Sequence, residues 1–167
     1  MERYRTVNIT IVSAEIFMAR SDIRVYAETY MDDDPGEKKL TGEERGLNPK
    51  WGTTMRFEVR EKMLRRNRLI IKLRRKRSLV SDKTIGKVRI SRNDLVNHGE
   101  LNQALYYNVY KDRLLSSPER RGRLIVSFRL EEVCYRKVPN KVMQFFKGVA
   151  KFGFKTVFGF GFPSSSG

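Results

Sequence analysis

Arg74, Arg75, Lys76 and Arg77 stand in a row. From Arg60 to Arg77 they join Arg60, Lys62, Arg65, Arg66, Arg68 and Lys72, so that ten cations meet Glu61 as the one acid. As cations at pH 7 such side chains do not ligate a divalent metal; their chemistry is the attraction of anions. The whole chain repeats the bias: 35 Lys and Arg against 19 Asp and Glu give +16 at pH 7 over 167 residues. A field this positive points to phosphates, carried by nucleic acid or by the acidic face of a membrane. With 40% apolar residues the chain also has the hydrophobic surface to fold, so composition excludes plain disorder.

Residue types that run catalysis are scarce. There is one Cys, Cys134, and one His, His98, which excludes an intramolecular disulfide framework and a Cys/His metal cluster. His98 sits beside Gly99 with no Ser, Cys or partner base near it in sequence. Asp32, Asp33 and Asp34 precede Pro35-Gly36 and read as a solvated turn rather than a metal cluster. Cys134 lies near Arg136 and Lys137, which leaves it as a reactive thiol, a lipidation site or a bystander. Ser116, Ser117 and Ser164 to Ser166 are candidate phosphate acceptors with nothing to single one out. No general base, nucleophile or metal set emerges, so the expectation is a non-enzyme with no cofactor and no small-molecule substrate. No apolar run approaches the ~20 residues of a membrane span, and Met1 to Arg5 lack a secretory pattern. The expected location is cytoplasmic, peripheral at the cytosolic face of a membrane.

The elements that must position these charges are strands. Thr6 to Val12 alternates with Val7, Ile9 and Ile11 on one face, and similar runs follow at 23–31, 38–41, 53–59, 69–73, 85–90, 105–110 and 123–130. Turn formers separate them, at Gly46 to Pro49, Ser78 to Lys83, His98-Gly99 and Ser116 to Pro118. Eight short strands at this spacing predict an all-β, antiparallel β-sandwich, with one helical turn opening at Ser91.

The run Gly46-Leu47-Asn48-Pro49-Lys50-Trp51, ahead of a strand with Met55, Phe57 and Val59, resembles the Asn-Pro-x-Trp signature of C2 domains. Val12-Ser13-Ala14 after the opening strand, Val25-Tyr26-Ala27, and Ser81-Asp82-Lys83-Thr84-Ile85-Gly86 resemble further segments of that family, in order. The resemblance covers roughly Val7 to Leu130 and is similar to the small single-C2 proteins of plants. It implies a phospholipid-binding β-sandwich with an adaptor role in signalling. Members of the family commonly bind calcium through aspartates on the loops after the first and fifth strands, since Ca²⁺ takes six to eight oxygen ligands. This chain departs from that pattern. Arg24 stands where the family usually has an Asp, and Arg74, Arg75, Lys76 and Arg77 stand where it alternates aspartates, leaving Asp82. The expectation is therefore no metal, and calcium-independent binding by fixed positive charge. The family's lysine-rich patch for phosphoinositide head groups maps onto Lys38, Lys39 and Arg56. The same alignment places Asp32 to Asp34 at the end opposite the calcium loops.

Composition changes after Glu132, dividing the chain into 1–132, the β-sandwich, and 133–167, a basic, Phe-rich extension without an acid. At helical spacing Phe145, Phe146 and Phe152 fall on one side and Lys141, Lys147 and Lys151 on the other, the pattern of an amphipathic helix lying in a membrane interface. Three alternatives stay open for it: docking on the sandwich, a protein partner's groove, or a flexible end. For the whole chain the leading partner is anionic phospholipid. RNA or DNA binding through the same cations, with Tyr106, Tyr107 or Tyr110 stacking on bases, is the alternative, and it is weakened by the absence of aromatics from Arg60 to Arg77. A protein-interaction module is the third reading.

Overall fold

The structure, a computed structural model, describes residues 1–99, 103–111 and 117–137. The extension residues Lys141, Phe145, Phe146, Lys147, Lys151 and Phe152 lie outside the described residues. Residues Arg3–Cys134 form one compact unit.

The elements that position the site begin with β1 (Glu2–Ile16), followed by β2 (Arg24–Met31), β3 (Asp34–Leu40), the two-residue β4 (Glu44–Arg45) and β5 (Lys50–Arg60). Next come α1 (Glu61–Leu64), β6 (Leu69–Arg75), β7 (Lys83–Ile90), α2 (Arg92–Gly99), β8 (Ala104–Lys111) and β9 (Glu119–Leu130). Eight of the strands form one antiparallel path, β5-β1-β9-β8-β7-β6-β2-β3, with β4 paired to β2. The expected strand content is present, but the sheet is continuous where two separate sheets were expected. Among the described residues its two halves are joined through one residue pair, Lys87 with Tyr110 between β7 and β8. At that seam the sheet curls, and both halves contribute to one core, with Ile9, Val126 and Phe128 from one side and Val25, Ile71 and Ile90 from the other.

Alternation accounts for most of this. Along β1 the side chains of Val7, Ile9 and Ile11 are buried, and then the register shifts between Ile11 and Ser13 against both neighbours. One extra residue in a strand reverses which side chains face inward, so Ala14 and Ile16 continue the core. That bulge hides the second half of β1 from a period-two reading. The Gly46-to-Trp51 signature works as a brace on this half: Ala14 N–H donates to the Pro49 carbonyl (3.0 Å) and Ile16 N–H to that of Leu47 (2.8 Å). Gly46 supplies the positive φ of 92° the loop needs, and Trp51 packs half-buried against the core. β3 starts earlier than expected, narrowing the turn to Asp32-Asp33; Pro35 is tolerated because β3 is an edge strand. The Ser91 hydroxyl accepts the Asp94 N–H (3.3 Å) and caps α2, whose Leu95 joins the core, as does Leu64 of α1.

Gly86 of the Ile85-Gly86 segment lies at the seam. A Cβ there would come within 2.7 Å of Val109 Cγ1 and 2.9 Å of the Tyr110 carbonyl oxygen. The contact includes backbone, which cannot swing aside. Gly86→Ala is expected to cost about 1–3 kcal/mol, read as a lower urea midpoint with an unchanged denaturant slope.

Candidate functional site

Strand register brings the β1–β2 and β6–β7 connections to one end. Arg24 opens β2 beside the end of β6, where Val25 pairs with Arg75, and Arg75 in turn pairs with Lys83 at the start of β7. At the same end Ile16 pairs with Gly122. Two backbone bonds tie the loops down: Lys76 N–H to the Arg24 carbonyl (2.9 Å) and Phe17 N–H to that of Arg121 (2.8 Å).

Asp82 holds the β6–β7 loop closed. Its Oδ2 accepts the Tyr26 hydroxyl at 2.6 Å and its Oδ1 the Arg77 N–H at 3.0 Å. Arg77 Nε then donates to the Ser81 carbonyl (2.8 Å), and Lys76 Nζ lies 3.8 Å from both Asp82 Oδ2 and Glu43 Oε1. The Tyr26 hydroxyl first, then the Arg77 amide, hold the Asp82 carboxyl below its ordinary 3.8. Burial and the bond to Asp82 push Tyr26 above 10.0, so Tyr26 remains a donor at neutral pH. With its base fastened, the loop projects Leu79, 95% exposed, and Val80, 59% exposed, into solvent. In the neighbouring loop Phe17 is exposed, with the Arg120 guanidinium 5.1 Å from its ring centroid.

The cations foreseen from sequence divide in space. Arg24, Arg75, Lys76 and Arg77 share this end of the sheet. Arg74 does not belong to the loop: it lies on β6, donates to Thr84 Oγ1 (2.6 Å) and sits 3.7 Å from Glu28. The dense run from Arg60 to Arg77 is not one patch, because β6 crosses the sheet within it. Arg60, Lys62, Arg65, Arg66 and Arg68 lie with α1 at the far end, where Asp32 N–H donates to the Arg68 carbonyl (2.9 Å). Asp32 to Asp34 therefore sit opposite the Leu79 loop, as the resemblance implied.

Of Lys38, Lys39 and Arg56, the structure brings Lys39 against Arg56 and engages Lys38 with a different partner. Lys38 bonds Glu28 (3.1 Å) on the outward face of β2, whereas Lys39 bonds the Arg56 carbonyl and lies 5.0 Å from the Phe57 ring. Arg56 lies 3.6 Å from Glu58 and 4.0 Å from Glu131. The outward face of β2, β6 and β7 instead gathers Lys38 and Lys72 on either side of Tyr30, at 5.7 and 5.3 Å, with Lys87 paired to Lys72 in register. Lys72 and Lys87 were legible as the residues that alternate with buried Ile71, Leu73 and Val88. Leu79 and Val80 passed as part of a turn, since exposure cannot be read from two apolar residues among turn formers.

Among the described residues no three His, Cys, Asp or Glu side chains gather as a metal-ligand set. Asp82 closes the β6–β7 loop, and the sign of this contribution with pH follows from the lowered carboxyl pKa. The staple is fully present above 3.8 and is lost as pH falls through the lower folded-state value. Carboxyl-carbon NMR is expected to show Asp82 titrating below 3.8, moving up toward it in Tyr26→Phe, with faster hydrogen exchange at the Arg77 amide in Asp82→Asn.

The sequence model of the C2 domain matches residues 5–107. Protein SRC2 of Glycine max is 31% identical over 90 residues, covering 50% of this chain and 30% of that protein. The chain thus spans less than a third of this relative. Of solved structures, a C2 domain of plant extended synaptotagmin 1 has a TM-score of 0.60 at 15% identity, covering 79% of this chain and 96% of that one. Human GIVD cytosolic phospholipase A2 has 0.59 at 18% identity, covering 78% of this chain and 17% of that one. At such identities these structures speak for the fold alone. The family match covers more than half of the chain, its signature loop braces β1, and Gly86 lies where a side chain would not fit: this chain belongs to the C2 domain family.

Proposed function

We propose that this domain docks peripherally on anionic phospholipid membranes through the end that carries Leu79, and does so without calcium. The observation that carries the reading is the pair Leu79 and Val80, held out at 95% and 59% exposure by a loop fastened at its base and flanked by Lys76, Arg77 and Lys83. An apolar tip ringed by cations suits the boundary between head groups and acyl chains. Each basic residue near an anionic leaflet contributes about 1 kcal/mol, and full burial of a Leu or Val side chain about 1.5–3 kcal/mol. Neither term alone gives firm anchoring; together they do. Phe17 adds a second apolar contact from the adjacent loop.

Calcium independence is supported by how the loop's charges are spent. Both oxygens of Asp82 are engaged by the protein, and the Lys76 ammonium already stands between Asp82 and Glu43. A divalent cation entering there would meet a resident positive charge. In this reading residues 1–132 form the docking domain and 133–167 a second contact, with Phe145, Phe146 and Phe152 inserting and Lys141, Lys147 and Lys151 facing the head groups. No helix among the described residues is long and apolar enough to cross a membrane. The role is that of a non-enzymatic adaptor at a cytosolic membrane surface.

Co-sedimentation of the full chain with phosphatidylserine vesicles tests this. The bound fraction is expected to be the same with calcium or chelator and to fall with added salt. Replacing Leu79 and Val80 together by Ser is expected to weaken binding about tenfold or more. Binding that requires calcium, or that ignores the double substitution, overturns the reading.

A further inference from the structure

We propose that the pocket at the open end of the β7–β8 seam is a binding site for a phosphate monoester. Four cations border it, Arg75 from β6, Lys83 from β7, Lys111 from β8 and Arg121 from β9, with Met18, Thr84 and Ile85 completing the lining. Among the described residues no carboxylate lines it. The volume is about 40 Å³, room for one small oxyanion rather than for an extended ligand.

Two bulges build the pocket. Between β6 and β7 the register passes from Leu73–Gly86 to Arg74–Thr84, which leaves Ile85 as the extra residue. Between β8 and β9 it passes from Val109–Gly122 to Tyr110–Arg120, which leaves Arg121 as the extra residue. Both extra residues line the pocket. Bulges re-aim side chains, and here they flank the Lys87–Tyr110 pair between the halves of the sheet. Among the described residues β7 and β8 show no further ladder pair toward Lys83 and Lys111, which both line the pocket.

The cations are in part uncommitted. Arg121 Nη2 donates to Glu119 at 3.2 Å, yet its Nε is shut off from solvent with no acceptor. A buried guanidinium donor without an acceptor is costly, and like charges around one small pocket repel; a bound dianion relieves both. Among the described residues no acidic side chain pairs with Arg75, Lys83 or Lys111. Forked Arg donors and Lys ammoniums together fit a terminal phosphate, whose three free oxygens outnumber the two of a diester. The site rests on this geometry and not on the membrane reading.

The experiment is an NMR titration of the full chain with inorganic phosphate, against chloride at equal ionic strength. Saturable shifts are expected at the Ile85 and Arg121 amides, with affinity falling about tenfold in Arg75→Gln and in Lys111→Gln and unchanged in Arg20→Gln. Without phosphate, the first two variants are expected to melt no lower than the parent, since each removes repulsion. Vesicles carrying phosphatidic acid, a monoester, or phosphatidylserine alone, a diester, distinguish the source. Displacement by phosphate from phosphatidic acid vesicles only assigns the lipid head group; saturable phosphate binding with no such displacement assigns a soluble monoester. Shifts that chloride reproduces, or a titration unchanged in both pocket variants, overturn the proposal. Phosphate binding that survives the paired Ser substitutions at Leu79 and Val80 separates this site from the docking loop.

Discussion

The fold turns on how closely β7 approaches β8. Among the described residues one pair, Lys87 with Tyr110, joins the two halves of the sheet, and Gly86 permits it by placing no side chain against the Tyr110 carbonyl. Through this contact the halves share a core instead of exposing two apolar faces. The same constraint shapes the end of the molecule. The ladders on either side of the seam carry bulges at Ile85 and Arg121, which bend the strands there. Fold geometry and the convergence of cations at the pocket thus have one origin.

In the neighbouring β6–β7 loop Asp82 illustrates how a family position changes its work. Where the resemblance implies a carboxylate free to bind calcium, here the oxygens take a tyrosine hydroxyl and a backbone amide. Lys76 contributes an ammonium between Asp82 and Glu43. The loop is fastened at its base by internal bonds, and its apolar tip at Leu79 and Val80 is exposed.

Much of this was legible in residue order. Alternation in Val7-Ile9-Ile11, Met55-Phe57-Val59 and Leu124-Val126-Phe128 marked core-facing strands because a half-buried strand has a period of two. Asn48-Pro49 marked a loop, and Ile85-Gly86 closed a segment that resembles the family's. The rest was hidden for identifiable reasons. A bulge broke the parity of β1 after Ile11, and a short helix, α1, carries no periodic signal in four residues. The run of cations from Arg60 to Arg77 looked like one patch because sequence proximity is not spatial proximity once a strand crosses the sheet.

By itself the sequence determined the sign and size of the charge, the antiparallel strand content and membership in the C2 family, since each follows from residue type or local spacing. Tertiary structure decided which charges act together. Arg75, Lys83, Lys111 and Arg121 come from four strands and meet only because register and bulges bring them to one pocket. It also decided that Leu79 is exposed while Leu73, six positions earlier on β6, is buried. Burial is a property of what packs against a side chain, and no local pattern of residues contains that information.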